Sequence, residues 1–142
     1  MKYKLTDETI KHNGRTLYRI QALKDFGDVK VGHLGGWIQS ETNLSQEGNC
    51  WVYDEAKVFG NAEVFDNALV SDNARVFEDA CVHGNALVSG NAEISDNAHV
   101  YGNARISGNA RVYGNARVFG NAHIYENARV FGNVEIKNGY VR

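Results

Sequence analysis

The residues best suited to proton transfer, nucleophilic attack or metal binding lie in the middle of the sequence. Cys81 and His83 are separated by one residue, and His99 and Glu63 lie eighteen residues to either side of Cys81. Cysteine and histidine form zinc sites, and a Cys/His pair can supply a nucleophile with its base. Cys81, His83 and His99 are therefore a candidate metal site. If these residues stand side by side on one flat β surface, however, their side chains run parallel and converge poorly on a single ion. We therefore expect no metal and interpret this group as an exposed thiol beside unrelated histidines.

A second group of residues combines positive charge with aromatic rings. Arginine beside aromatic rings is a common means of holding phosphates and planar rings. We take Arg111, Arg117, Arg129, Tyr113 and Phe119 as the candidate ligand-binding residues. The alternative is a solvated β surface on which arginine and aromatic side chains only shield the sheet and stack on one another.

Both groups belong to a six-residue repeat that needs no insertion or deletion. Fourteen hexads run from Val52 to Glu135; all begin with Val or Ile, twelve have Asn fourth and thirteen have Ala fifth. The third position is Gly in eight hexads and acidic in six. A short fixed period indicates stacked units that bury their apolar sides only against neighbouring units.

Period six excludes an α-helix, because 3.6 residues per turn would spread the Val positions around the axis. A short strand followed by a corner fits the pattern, with Val and Ala pointing inward and Gly-Asn turning the chain through left-handed geometry. Three equal sides predict a triangular coil of eighteen residues, with successive coils about 4.8 Å apart. The predicted fold class is all-β, a parallel β-helix.

The repeat V-x-G-N-A-R resembles the bacterial hexapeptide repeat of left-handed parallel β-helix proteins, although its second position is usually aromatic or Ser. Residues 14–27 and 34–38 are similar to uncharacterised transferase-like hexapeptide proteins of bacteria and their phages. The resemblance implies a left-handed winding and, for a homo-oligomer, a trimer rather than a dimer. It also raises two enzyme classes, acyltransferases and γ-type carbonic anhydrases. The γ-type carbonic anhydrases place two zinc-binding histidines five residues apart. No two of the five histidines in this sequence have that spacing, which argues against the carbonic anhydrase class.

The chain divides into three predicted regions. Residues 1–33 form an N-terminal β cap, since Asn13-Gly14 is a hairpin signal and a cap would protect the first coil. Residues 34–51 form a degenerate first coil, in which Cys50 takes the small inward position. Residues 52–142 form the hexapeptide-repeat β-helix.

Stacking with a period of eighteen residues predicts three outer faces. We name them the leucine face, the arginine face and the cysteine face. The leucine face carries Trp51/Tyr53, Leu69/Ser71, Leu87/Ser89, Arg105/Ser107 and His123/Tyr125. The arginine face carries Lys57/Phe59, Arg75/Phe77, Glu93/Ser95, Arg111/Tyr113 and Arg129/Phe131. The cysteine face carries Glu63/Phe65, Cys81/His83, His99/Tyr101, Arg117/Phe119 and Glu135/Lys137.

The outward apolar column of the leucine face predicts an interface. Trp51, Leu69 and Leu87 share this column, and apolar patches of this extent rarely stay exposed on monomers. We expect them to join protomers; the alternative is that the N-terminal cap folds over them.

Composition narrows the function classes. A net charge of −2 with pI about 6.2 indicates neither a basic nucleic-acid binder nor an acidic mimic. No apolar run is long enough for a membrane helix, no secretory signal is visible, and two cysteines make no disulfide framework. We expect a cytoplasmic protein without membrane or nucleic-acid partners. The threonine arrays of ice-binding β-helices are also missing from the hexads.

We interpret the chain as a non-enzymatic, oligomeric binding scaffold for a host protein or a small anionic ligand, without a cofactor. A phage-encoded protein of this kind would suit the sequestering of a host signalling nucleotide or the blocking of a defence protein. The alternative, implied by the resemblance, is an acyltransferase that uses acetyl-CoA, with His83 and His99 as the available bases. Against it, the uninterrupted hexads leave no catalytic loop, the regular faces offer no pocket, and the histidines have no evident carboxylate partner except Glu63.

Overall fold

Each hexad forms a two-residue strand followed by a tight corner. In the computed structural model, which describes all 142 residues, the first-position Val or Ile and the fifth-position Ala point into the core. From Val52 to Ile124 nearly every one of these side chains is fully buried. They belong to a single core cluster of 36 residues that runs the length of the coil. Branched and small side chains suit this interior, because only two inward positions per hexad fill it.

The strands stack into three sheets, one behind each outer face. The sheet of the arginine face follows the order β1 (Tyr3–His12), β2 (Arg15–Ala22), β3 (Leu34–Ile38), β5 (Lys57–Val58), β8 (Arg75–Val76), β11 (Glu93–Ile94), β14 (Arg111–Val112) and β17 (Arg129–Val130). The sheet of the cysteine face comprises β6 (Glu63–Val64), β9 (Cys81–Val82), β12 (His99–Val100), β15 (Arg117–Val118) and β18 (Glu135–Ile136). The sheet of the leucine face comprises β4 (Trp51–Val52), β7 (Leu69–Val70), β10 (Leu87–Val88), β13 (Arg105–Ile106), β16 (His123–Ile124) and β19 (Tyr140–Val141).

The repeat of the register is eighteen residues throughout the hexads. His99 pairs with Cys81 below it and with Arg117 above it, in parallel strands. The six-stranded sheet of the leucine face fixes six coils. In the first coil, β3 pairs in parallel with β5, and Leu44 bridges to Val64. The predicted stacking is therefore confirmed.

The corners adopt the left-handed backbone geometry that their composition predicts. The third-position residue has a positive φ in every hexad, whether it is glycine, as at Gly102 (φ 65°), or acidic, as at Asp66 (φ 58°). A side chain in this geometry costs free energy, and glycine avoids that cost.

The N-terminal residues form a hairpin that extends the sheet of the arginine face. Strands β1 and β2 are antiparallel, with Asn13 and Gly14 at positive φ in the turn, and β2 pairs antiparallel with β3. A short 3₁₀ turn, Glu41–Asn43, is the only helical segment. The expected hairpin cap is confirmed.

The position of Trp51 corrects the predicted interface. Trp51 is fully buried, because the ring of Tyr3 packs edge-on at 6.1 Å and the ring of Phe26 at 5.3 Å. Both rings belong to the N-terminal 33 residues, so the cap itself covers the foot of the leucine face. Leu69 and Leu87, higher on the same face, are half-buried. Trp51 is therefore a core residue and is not free to contact another protomer.

The molecule is an all-β parallel solenoid with an N-terminal hairpin cap. Its geometry agrees with the left-handed winding that the sequence resemblance implies. It has no helix long and apolar enough to cross a membrane.

Candidate functional site

The charged column of the arginine face concentrates positive charge at its upper end. The strand register places Glu93 between Arg75 and Arg111, and Arg129 directly above Arg111. Glu93 forms long ion pairs with Arg75 (3.9 Å) and Arg111 (3.8 Å). Arg129 has no carboxylate within 4.0 Å. Like charges on directly opposed residues of neighbouring strands repel, so the Arg111/Arg129 pair favours a bound anion.

The second outward column of the arginine face consists of stacked aromatic rings. Phe59 and Phe77 stack at 5.2 Å with their planes 4° apart, and Tyr113 and Phe131 stack at 5.3 Å with an angle of 11°. Ser95 occupies the position between these two pairs. The lower pair is partly covered by the hairpin, because His12 packs edge-on against Phe59 at 5.2 Å. The upper pair lies beside Arg111 and Arg129.

The cysteine face carries an uninterrupted ring column. Phe65, His83, Tyr101 and Phe119 stack in succession with centroid spacings of 4.6, 5.0 and 5.0 Å and nearly parallel planes. His83 is therefore a rung of this column, covered on both ring faces. The stacking orients the imidazole and leaves only its edge accessible.

His83 has a carboxylate partner that sequence analysis missed. Asp66 Oδ2 lies 3.7 Å from His83 Nδ1 and also accepts a hydrogen bond of 3.0 Å from the Gly84 amide. Burial lowers the pKa of His83 below its usual 6.5, against the opposing effect of Asp66. The imidazole is therefore neutral at pH 7 and able to accept a proton. The expectation that only Glu63 could orient a histidine is wrong, because a corner residue of the coil below reaches this one.

The proposed metal ligands do not converge. Cys81 and His99 are register neighbours, and the His83 and His99 rings meet edge-on at 6.4 Å. No group of three or more His, Cys, Asp or Glu side chains in the chain is arranged to hold a metal ion. Burial, helped by Glu63 and Asp79, raises the pKa of the Cys81 thiol. The thiol is therefore protonated at neutral pH, which opposes its use as a nucleophile.

The five predicted ligand-binding residues are divided between two faces. Arg111, Arg129 and Tyr113 share the arginine face, whereas Arg117 and Phe119 lie on the cysteine face. A single small ligand on a flat face cannot contact both sets. The coherent group is Arg111, Arg129 and Tyr113, and Phe131 joins it through its stack on Tyr113.

Three shallow hollows mark the surface, and none contains His83, His99 or the arginine column. One of about 200 Å³ lies below Phe65 at the foot of the cysteine face, lined by Thr42, Ser45, Glu63, Val64 and Phe65. One of about 350 Å³ lies at the top of the leucine face, lined by Ser107, His123, Tyr125 and Tyr140. One of about 450 Å³ runs along a corner, lined by Asp54, Glu55, Asp72, Asn73, Gly90 and Asn91. The single chain therefore has no hollow around His83 or His99; the histidine that lines one of the three is His123.

Comparison with known proteins bears on the repeat. The family model described as the YdcK beta solenoid repeat matches residues 98–112, 104–118 and 110–126. These overlapping matches begin at residues 98, 104 and 110, so each start is displaced from the previous one by one hexad. Together the matches span residues 98–126, so this likeness concerns those coils of the β-solenoid. The matched residues carry strands of all three faces, including Arg111 and Arg117 but not Arg129.

A curated relative of this solenoid comes from Escherichia coli (strain K12). It is named "Uncharacterized acetyltransferase YdcK" and is 46% identical over 68 residues. The match covers 42% of the chain but 21% of that protein, so the chain corresponds to about one fifth of its relative's length. The likeness therefore concerns the repeats.

Proposed function

We propose that this solenoid is a non-enzymatic binding scaffold that holds an anionic ligand on its arginine face. The observation that carries the proposal is the registered Arg111/Arg129 pair beside the stacked rings of Tyr113 and Phe131. Both arginines are exposed, and their only carboxylate contact is the long pair between Arg111 and Glu93. An anion that contacts both would relieve their repulsion, and charge-assisted hydrogen bonds to arginine are strong.

The rigidity of the face supports this use. Backbone hydrogen bonds link each coil to the next; the amides of Arg111 and Tyr113 donate to Ala128 and Val130 at 2.9 Å. The backbone therefore holds these side chains at fixed spacings, and a ligand can bind without rearranging it. Such preorganisation lowers the entropic cost of binding.

Calorimetric titration with inorganic pyrophosphate and with nucleoside monophosphates tests the proposal. We expect the Arg111→Gln/Arg129→Gln variant to lose binding while it keeps its fold, because both side chains point away from the core. Arg105→Gln/Arg117→Gln is the matched control, since it also removes two arginines from the same hexad position, on the other two faces. Equal losses in the two variants, or no binding of any anion by the native protein, would contradict the proposal.

Purification from the natural host separates the possible occupants. A bound anionic small molecule identified by mass spectrometry would support the scaffold as proposed. A stoichiometric host protein retained through the arginine face would assign the face to a protein partner instead and would overturn the small-ligand version.

Acetyl transfer is the second candidate function. Two observations favour it: the relative that is named an acetyltransferase, and the neutral His83 beside Asp66. In this case His83 would take the proton from an acceptor amine or hydroxyl as the acceptor attacks the thioester carbonyl of acetyl-CoA. His83 would return that proton to the sulfur as the C–S bond breaks and coenzyme A leaves as the thiol. Because the single chain forms no pocket around His83, the site would need a neighbouring protomer as its second wall.

An assay of acetyl-CoA with a panel of amine and hydroxyl acceptors distinguishes the two functions. Acetyl transfer that disappears in His83→Ala would establish the second candidate and overturn the non-enzymatic proposal. His99→Ala serves as the comparison, because His99 lies on the same face and forms no ion pair with a carboxylate within 4.0 Å. We expect no transfer in either variant or in the native protein.

A further inference from the structure

The aromatic column of the arginine face lacks one rung. Below the gap, Phe59 stacks on Phe77 at 5.2 Å; above it, Tyr113 stacks on Phe131 at 5.3 Å. The register of Glu93 with Arg75 and Arg111 places Ser95 between Phe77 and Tyr113. The serine side chain is far smaller than a ring. Two aromatic faces are therefore directed toward the same open notch.

The notch has the height of one ring. Two coil steps separate Phe77 from Tyr113, which is roughly 10 Å at the usual strand spacing. A ring midway between them would lie about 5 Å from each neighbour. The native stack of the cysteine face repeats at 4.6 to 5.0 Å, so this spacing is one at which the coil already stacks rings. An inserted ring would complete a column of five.

No other serine in the outward columns has this setting. On the leucine face, Ser71, Ser89 and Ser107 follow one another, and the nearest rings in that column, Tyr53 and Tyr125, are four coil steps apart. The column of the cysteine face has no serine between its rings. Only Ser95 is flanked by a ring on each side.

The charge around the notch is net positive and favours an anionic ring: Glu93 lies level with Ser95, between Arg75 one coil below and Arg111 one coil above. Arg111 stands one coil above Ser95 in the neighbouring column, roughly 8 Å from the centre of the notch by strand geometry. Arg129 follows directly above it. In a nucleoside monophosphate, the phosphate is carried at a comparable distance from the centre of the base. One small molecule can therefore stack its base in the notch and bind its phosphate to the arginines at the same time.

We propose that the gap at Ser95 is a stacking slot for the planar ring of an anionic ligand, of the nucleoside monophosphate class, with Phe77 and Tyr113 as its two walls. This inference rests on the proposed function and adds the ring to the anion. Each stacked base–aromatic contact strengthens binding measurably and tolerates different bases, so the slot selects a ring rather than one base.

Calorimetric titration with AMP, GMP, ribose 5-phosphate and inorganic pyrophosphate tests the slot. Ser95→Phe fills it with a ring of the protein's own; Ser95→Ala leaves it open. Ser89→Phe adds the same ring to the leucine face as a matched control. We expect Ser95→Phe to weaken AMP and GMP binding at least about tenfold while pyrophosphate binding is unchanged. Ser95→Ala and Ser89→Phe should stay within about twofold of the native protein.

A second measurement does not depend on the variants. Proton NMR of the native protein with AMP should show upfield ring-current shifts of the adenine protons, since the base lies between two aromatic faces. Binding of AMP without such shifts would overturn the slot.

The remaining outcomes separate the two proposals. Equal affinities for ribose 5-phosphate and AMP would overturn the slot and leave the anion scaffold standing. The absence of binding by every anion would overturn both. Binding of a decameric oligoadenylate without binding of AMP would also overturn the mononucleotide assignment, because the ring would then come from a nucleic-acid strand.

Discussion

At the scale of single residues, the corners show why glycine and acidic residues alternate at one position. An acidic corner residue accepts a hydrogen bond from the backbone amide of the corner one coil above. Asp72 accepts from Gly90 at 2.8 Å, and Asp96 accepts from Gly114 at 2.9 Å. This hydrogen bond offsets part of the cost of placing a side chain in left-handed geometry. Glycine solves the same problem by having no side chain.

Gly102 provides a test of this interpretation. A Cβ atom at Gly102 would lie 2.7 Å from the amide nitrogen of Gly120. We expect Gly102→Ala to lower the free energy of unfolding by about 1–2 kcal/mol. Gly102→Asp should cost clearly less, because its carboxylate can accept a hydrogen bond from that amide. Urea unfolding compares the two variants, and an Asp variant as unstable as the Ala variant would contradict the explanation.

His83 predicts a pH dependence of stability. Because burial lowers its pKa in the folded state, the unfolded chain binds a proton first as the pH falls below about 6.5. His83 therefore contributes to a loss of stability on acidification, down to its folded pKa. His83→Phe removes that contribution and retains a ring between Phe65 and Tyr101. We expect the native protein to lose more stability than His83→Phe between pH 7.5 and pH 5.5, measured by urea unfolding.

The Ala variant separates the ring from the charge. His83→Ala removes both stacked contacts and should cost about 1–3 kcal/mol already at pH 7.5. If the Phe and native proteins lost equal stability on acidification, the pKa of His83 would not be the source of the pH dependence.

At the scale of elements, one arginine joins the hairpin to the first coils. The Arg19 guanidinium lies 4.1 Å from the centre of the Trp37 ring and donates to the Gly35 carbonyl at 2.8 Å. It also forms an ion pair with Glu55 at 3.3 Å, while Trp37 Nε1 donates to the other Glu55 oxygen at 3.2 Å. The indole hydrogen bond, followed by the contacts with Arg19, holds the pKa of Glu55 below its usual value.

We expect Arg19→Ala to lower the free energy of unfolding by about 2 kcal/mol, since it removes the stacked cation and hydrogen bonds of a charged donor. Arg19→Lys should recover little, because an ammonium lacks the planar fork that stacks and donates at once. Arg15→Ala is the control: its guanidinium donates to Gln39 at 3.0 Å in an exposed position. The rate of amide hydrogen exchange in β3 should rise only in the Arg19 variants. An equal rise in Arg15→Ala would show that the contacts of Arg19 are not what holds the hairpin to the coil.

At the scale of the whole molecule, the upper leucine face bears on self-association. Leu69 and Leu87 are register neighbours, and the small side chains of Ser71 and Ser89 beside them leave the face flat enough for close approach. Since Trp51 is covered, the proposed contact between protomers reduces to these two leucines. We propose that copies of the solenoid associate through them.

We expect light scattering to give a mass of two or three times 15.7 kDa, with a trimer favoured. Leu69→Arg/Leu87→Arg should give the monomer mass, because it places four charges of one sign across a two-fold contact, and more across a three-fold one. Phe131→Arg is the control, as an exposed apolar residue on another face. A native mass of 15.7 kDa at high concentration would refute association, and an unchanged mass in the double variant would refute this face.

The regularity of the sequence accounts for what could be predicted. A strict period of six, with Val and Ala inward and a corner in every hexad, predicts the eighteen-residue register, the three faces and the positive φ at the corners from local pattern. Once the coils are stacked every eighteen residues, the spacing of Phe77, Ser95 and Tyr113 also predicts the gap at Ser95. The Asn13-Gly14 turn likewise specifies its own hairpin.

Other features depend on contacts between segments that share no repeat. The covering of Trp51 by Tyr3 and Phe26 depends on where the hairpin packs against the coil. The alternation of apolar and polar residues along the hairpin strands does not specify where that contact forms. The approach of Asp66 to His83 depends on how far a corner side chain leans toward the coil above it. The sequence by itself therefore determined the solenoid and the order of its outer columns, because short-range periodicity sets register. The tertiary structure alone decided which outward residues stay exposed and which acquire charged partners, because both depend on packing across the repeat boundary.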